Sequence, residues 1–315
     1  MTVAPRKFLV ITGQTASGKE RAALTVAEHL RGEIVSMDSM KVYRGLDVGT
    51  AKPAADDRRL VPHHLLDVVD PWESFSTARW AEAAEAALAE TAARGRLPIV
   101  SGGTVLYLKA LLFGLFEGPA ADLALRERLQ AEAERLGTPA LHERLRQVDP
   151  PAAGRIHPND LRRIVRALEV HELTGRPISE HQQQFGRVRP HLDPLVVALR
   201  RTRDDLLRRI DERVDRMIAA DLEAEVRRLL ADPRGLSREA AQAVGYREMI
   251  DLVEGRLAPE EAVVQLKKST ALFAKRQMTH LRSLDGRVWI DVAPHEPTGE
   301  TAARIETLWR EHLAR

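Results

Sequence analysis

The segment Lys7 to Glu20, KFLVITGQTASGKE, restricts the fold more than any other stretch of this chain. An apolar run ends abruptly at Gly13. Five residues later Gly18-Lys19 opens an amphipathic stretch that runs to Leu30. A buried strand, a tight glycine loop and a helix in direct succession form the phosphate-loop pattern GxxxxGK[ST]. The glycines let backbone N–H groups converge on phosphate oxygens, and the helix N-terminus adds positive character. Gly13, Gln14, Thr15, Ala16, Ser17, Gly18, Lys19 and Glu20 are therefore the candidate diphosphate-binding loop, with Lys19 as the point charge. Glu20 departs from the pattern, because a Ser or Thr hydroxyl usually stands there to ligate magnesium. Two readings stay open: Glu20 itself helps to hold the metal, a carboxylate being a hard oxygen ligand, or Thr15 or Ser17 substitutes. Ser17 and Glu20 are the candidate metal residues.

A second departure concerns reaction type. Phosphoryl-transfer enzymes built on this loop place a metal-binding Asp at the end of a later strand. Here the strand Leu97 to Ser101 runs into Gly102-Gly103. The loop can thus hold a diphosphate without transferring phosphate.

Further strands are expected at Glu33 to Ser36, Leu195 to Leu199 and Val288 to Asp291, with helix at Ala81 to Ala93. Strands separated by helices argue for a parallel α/β sheet with ligands at the strands' carboxyl ends. From about Gly118 to Asp193 only helical patterns appear. The clearest is Asn159 to Leu173, capped by Asn159 or Asp160 and closed by Gly175 and Pro177. An all-helical domain at 118–194 is read as inserted into a core of 1–117 and 195–315, with Gly186 to Pro194 as linker. Helices are expected over Asp204 to Leu230, Ser237 to Leu252 and Pro259 to Leu284.

The 315 residues suit about two domains. Hydrophobic residues make up 44%, enough for a core, and there is no cysteine, which excludes disulfides, thiolate zinc sites and a cysteine nucleophile. No signal peptide or membrane span is expected. Net charge is only +2, so charge distribution matters more than balance. Lys267, Lys268, Lys275, Arg276, Arg282 and Arg287 make a basic stripe opposed by Asp285 alone. His63 and His64 are adjacent, lack a third partner nearby, and are read as structural or as mild substrate contacts rather than a metal pair.

Beyond the loop, the segments SMDSMKVYRGLDVGTAKP from Ser36, GGTVLYLKALL from Gly102, HPNDLRRIVRALEV from His157, TGRPIS from Thr174, AVGYRE from Ala243 and AKRQMTHLR from Ala274 follow in order. This ordered set resembles the bacterial tRNA dimethylallyltransferase (tRNA isopentenyltransferase) family over nearly the whole chain. The resemblance implies a P-loop NTPase-like parallel core with a helical tRNA-binding insert, dimethylallyl diphosphate as donor, and N6 of adenosine 37 as acceptor, in tRNAs reading codons that begin with uridine. It implies Mg2+, a cytoplasmic monomer, and the anticodon loop of tRNA as partner. Carried over residue by residue, Asp38 is the base that accepts the amine proton, and Arg213 joins Lys19 on the diphosphate. Contacts to tRNA fall to Asp38, Ser39, Met40 and Lys41, to Thr104 and Asp122, and to Arg162, Arg163, Ile164, Val165 and Arg166. Others fall to Gly245, Tyr246, Arg247, Lys275, Arg276, Gln277, His280 and Arg282. An aromatic is usual where His280 stands, and an imidazole stacks less strongly. The rival readings are a small-molecule kinase using ATP, an adenylate prenyltransferase acting on a free nucleotide, and a non-catalytic RNA-binding protein.

Overall fold

In the computed structural model, residues 5–116, 118–182 and 187–315 are described. Gly186, the head of the expected linker, and Glu117, the end of the expected first core segment, lie outside them. Six strands form one parallel sheet: β1 Arg6–Gly13, β2 Gly32–Met37, β3 His63–His64, β4 Leu97–Gly102, β5 Leu192–Arg200 and β6 Arg287–Asp291, in the order β3-β2-β4-β1-β5-β6. The α/β parallel sheet read from the sequence is therefore present. Its central strands carry continuous apolar runs because helices cover both faces; Phe8, Leu9, Val10 and Ile11 are all at 0% exposure. β5 starts at Leu192, so the end of the expected linker is already sheet. β3, only two residues long, went unread. His64 there bonds Glu33 at 2.7 Å, and His63 bonds the Val61 carbonyl at 2.8 Å.

The chain divides into two compact units, Met1–Leu112 with Val188–Arg315, and Phe113–Arg187. The second is helical among its described residues and has its own core, in which Leu129, Leu145, Ile164 and Leu168 are fully buried or nearly so. Its helix Leu161–Thr174 starts where the Asp160 side chain accepts from Arg163 N–H, and stops at Gly175 with φ 70°. A left-handed glycine in that place is the usual helix stop.

Two long expected helices are broken. Asp204 to Leu230 becomes Arg203–Ala219 and Leu222–Leu230, because Asp221 takes φ 60° and caps the second through Ala224 N–H. Ser237 to Leu252 becomes Arg238–Ala241 and Tyr246–Val253, divided by Gly245 at φ 100°. The helix Pro259–Arg282 is continuous. No helix among the described residues is long and apolar enough to cross a membrane.

Candidate active site

Strand order places the chemistry. β1 ends in the phosphate loop, β2 ends one residue before Asp38, and β4 lies between them. All three carboxyl ends open on the same edge, where parallel α/β sheets bind ligands. The Gly102-Gly103 pair fills the gap. A Cβ on Gly102 would lie 2.0 Å from the Met37 carbonyl oxygen. One on Gly103 would lie 2.2 Å from Gln277 Nε2 and 3.2 Å from the Gly13 carbonyl. The strand-end position of a metal-binding Asp thus has no room for a side chain.

The loop itself is tight. Gly13 sits where a Cβ would meet Ser17 Oγ at 2.7 Å, and Gly18 takes φ 93° at the start of the helix Lys19–His29. Two arginines brace it from behind: Arg201 Nε donates to the Ser17 carbonyl at 2.8 Å, and Arg209 Nε to the Ala16 carbonyl at 2.8 Å. Gln277 ties it to the neighbouring strand. Its Oε1 accepts from Thr15 N–H at 2.7 Å while its Nε2 donates to the Gly103 carbonyl at 3.1 Å. Gln14 Nε2 reaches the Ala274 carbonyl on the same helix at 2.9 Å. The helix that carries the basic stripe, Arg287 excepted because it opens β6, is thereby bolted to the phosphate loop.

Lys19 is buried and donates to the Gln14 carbonyl at 3.3 Å. Burial pushes its ammonium pKa down; Glu20 opposes this, and Lys41 and Arg213 add repulsion. Burial by itself would raise Glu20, but Lys41, Lys19 and Arg213 outweigh it and hold its carboxyl at about 2. Glu20 is therefore ionised, and its Oε1 lies 2.6 Å from Lys41 Nζ. Arg213 bonds the Thr50 carbonyl at 3.2 Å and makes no ion pair among the described residues, its neighbours Asp211 and Glu212 included. A cleft of about 600 Å³ is walled by Lys19, Glu20, Lys52, Arg209, Arg213 and Arg216. A second, of about 570 Å³, shares Glu20, Lys52 and Arg216 with it and continues past Lys41 to Asp38, Ser36, Ser101, Leu24 and Ile34.

Asp38 caps its own turn with one oxygen: Oδ1 accepts from Met40 N–H at 2.8 Å and Lys41 N–H at 3.3 Å. Oδ2 has no hydrogen bond among the described residues. Thr104 Oγ1 accepts from Ser39 N–H at 3.3 Å, so Thr104 and the 38–41 turn are joined. The capping and base readings of Asp38 are compatible, one oxygen each.

Other expected contact residues are placed differently. Tyr246 is fully buried, its hydroxyl donating to Glu225 at 2.6 Å. Ile164 and Val165 belong to the core of the helical unit. Asp122 caps the helix Leu123–Leu136, and its N–H donates to buried Glu169 at 2.8 Å. Arg166 pairs with the same Glu169 at 2.8 Å, and Arg163 with Asp160 at 3.1 Å. Arg162 is exposed and has no partner among the described residues. Arg247 is exposed but pairs with buried Glu248 at 2.7 Å, beside Gly245. Lys275, Arg276, His280 and Arg282 are exposed on one helix.

Sequence reading missed Glu225, a buried carboxylate that accepts from Asp47, Val48 and Gly49 N–H at 3.1, 2.8 and 3.3 Å. It grips the loop that presents Thr50 to Arg213 and lines both clefts. The signal was available: Leu222, Glu225, Val226 and Leu229 share the buried stripe of one helix, and an acid on such a stripe needs partners.

The sequence profile of the family described as IPP transferase matches residues 41–284. The chain is 46% identical over 285 residues to tRNA dimethylallyltransferase 1 of Pelobacter propionicus, covering 90% of this chain and 92% of that one. It superposes on the full-length tRNA isopentenylpyrophosphate transferase of Bacillus halodurans with TM-score 0.72 at 37% identity, covering 98% and 97%. A eukaryotic dimethylallyltransferase acting on tRNA matches with TM-score 0.77 at 25% identity, covering 97% of this chain and 80% of that one.

Proposed function

We infer the reaction from the family to which this chain belongs, the IPP transferase family, and read it as a tRNA dimethylallyltransferase. The dimethylallyl group passes from dimethylallyl diphosphate to N6 of adenosine 37 in tRNAs that read codons beginning with uridine. The observation that carries this reading is adjacency: the cationic cleft at the phosphate loop shares Glu20, Lys52 and Arg216 with the cleft that Asp38, a carboxylate with one uncommitted oxygen, lines.

The adenine amine is a weak nucleophile because its lone pair is delocalised. As the C–N bond forms and the C–O bond to diphosphate breaks, the amine must lose a proton. Asp38 Oδ2 is the proposed acceptor of that proton, and the two N–H bonds to Oδ1 hold the carboxylate in its turn. The negative charge that builds on the departing diphosphate meets Lys19, Arg213 and the loop N–H groups, donors set in place before the reaction.

The side chains fit magnesium that arrives with the diphosphate. No cluster of three or more His, Asp or Glu that could hold a metal occurs among the described residues. The buried Ser17 Oγ has no hydrogen-bond partner and is the hydroxyl available to it. When bound, the ion supplies further charge neutralisation of the leaving group.

On the acceptor side, the exposed Lys275, Arg276, His280 and Arg282 of the core, and Arg162 and Arg163 of the helical unit, are the proposed tRNA contacts, chiefly to phosphates. Gln277, Tyr246, Ile164, Val165 and Asp122 support these surfaces from beneath. The protein is proposed to act in the cytoplasm as a monomer.

The test is an assay with labelled dimethylallyl diphosphate, unmodified tRNA and magnesium, with ATP hydrolysis followed in parallel. Label entering tRNA with ATP untouched is expected. Phosphate transfer from ATP without labelled tRNA would sink the reading in favour of a kinase.

A further inference from the structure

Lys41 stands in the segment assigned by resemblance to tRNA, yet its side chain is buried against Glu20 of the phosphate loop. It is 4% exposed, and its ammonium sits 2.6 Å from Glu20. Glu20 follows Lys19 at the mouth of the phosphate loop and lines both clefts, while Lys41 lines the one that contains Asp38. The ion pair therefore stands at the seam between the diphosphate cleft and the base. Lys41 and Arg213 both repel the Lys19 ammonium, and the one Glu20 carboxylate attracts all three cations. For Glu20 to ligate a metal, the metal would have to share the carboxylate with the Lys41 ammonium already seated on Oε1, and the two cations would repel. Lys41 is also tied to the base, since its N–H donates to Asp38 Oδ1.

We propose that Lys41 is a diphosphate-binding cation of the donor site, and that Glu20 is a positioning residue that holds it there rather than a metal ligand. The unusual acid in the phosphate loop and the buried lysine of the next strand-end turn are thus one device. Before the donor binds, Glu20 keeps the Lys41 ammonium ordered and solvated by charge. When the donor enters, diphosphate oxygens take over the ammonium, and Glu20 remains the nearer repulsive charge. The proposal rests on the donor reading given above.

Calorimetric titration of the full-length protein with inorganic diphosphate, with and without magnesium, separates the possibilities. Lys41→Met should weaken diphosphate binding roughly tenfold in both conditions, and Lys41→Arg should restore most of it. Glu20→Gln removes a repulsive charge, so it should tighten diphosphate binding by about threefold or more in both conditions. The same variant should lower kcat for tRNA prenylation, because the turn that holds Asp38 loses an anchor. If Glu20 were a metal ligand the sign would reverse: Glu20→Gln would weaken binding, and only with magnesium present. That result overturns the proposal, as does undiminished affinity in a folded Lys41→Met variant. Failure of the unaltered protein to bind diphosphate in any condition would overturn the donor reading itself and this proposal with it, an outcome distinct from either of the others.

Discussion

At the scale of single residues, the site turns on which polar atoms are left uncommitted. Asp38 uses Oδ1 to hold its own turn and keeps Oδ2 clear. Asparagine at 38 retains an acceptor for the same two N–H groups but cannot take a proton. Asp38→Asn should therefore lower kcat by about 10³, leave diphosphate affinity within a factor of about two, and leave tRNA affinity within a few-fold. Single-turnover rates with saturating tRNA, together with binding titrations, check this. A kcat within tenfold of the unaltered enzyme would remove Asp38 from the proton transfer. Gln277 shows the converse. The resemblance implies an RNA contact there, while both ends of its amide bond the phosphate loop and Gly103.

At the scale of elements, periodicity revealed the strands β1, β2, β4, β5 and β6, and the helix Leu161–Thr174, because each carries an apolar repeat long enough to see. It failed where one residue decides. Asp221 and Gly245 break helices by adopting positive φ, which no periodic pattern announces. β3 is two residues long, below the length at which alternation can be recognised. Of the site, the loop and Asp38 were legible from their motifs. Glu225 was not singled out, though a carboxylate on the stripe Leu222, Val226 and Leu229 has to find donors. Those donors are the 47–49 backbone and the Tyr246 hydroxyl, so one helix fixes a loop that lines both clefts. A glutamine at 225 presents one amide N–H₂ toward groups that are themselves donors. Glu225→Gln should loosen the loop, raising the donor KM about tenfold while kcat changes by less than threefold. Initial rates against donor concentration decide it, and an unchanged KM would show that the loop holds its place without Glu225.

At the scale of the whole molecule, acids paired with cations set the acid limit of stability, and chain connectivity sets what can be removed. Arg94, His64 and Thr91 hydrogen bonds outweigh burial and hold Glu33 at about 2, and Glu20 is likewise held at about 2. Both values lie below the unfolded range near 4.5. The stability these groups contribute is therefore fully present above about pH 4.5 and is lost as pH falls toward 2. Urea midpoints should fall across that window, and Glu33→Gln should start lower at pH 7 and fall less steeply. A parallel descent of both proteins would place the acid loss elsewhere. Connectivity offers the sharper experiment. Within the sheet-bearing unit, Arg189 N–H donates to the Leu112 carbonyl at 2.9 Å, and Arg189 Nε to the Leu111 carbonyl at 3.1 Å. The two ends from which the helical unit departs are already hydrogen-bonded to each other, so a short Gly-Ser linker can replace residues 113–187 with little loop-closure cost. The phosphate loop, Asp38, Lys41, Gln277 and Glu225 all lie in the part that remains. The excised protein should fold and should bind diphosphate within about twofold of the full chain, because every cleft residue keeps its partner. It should lose tRNA affinity by at least about tenfold and reduce its salt dependence, since the contributions of Arg162 and Arg163 to phosphate binding are gone. Undiminished tRNA affinity at two salt concentrations would confine RNA recognition to the basic face of the helix Pro259–Arg282.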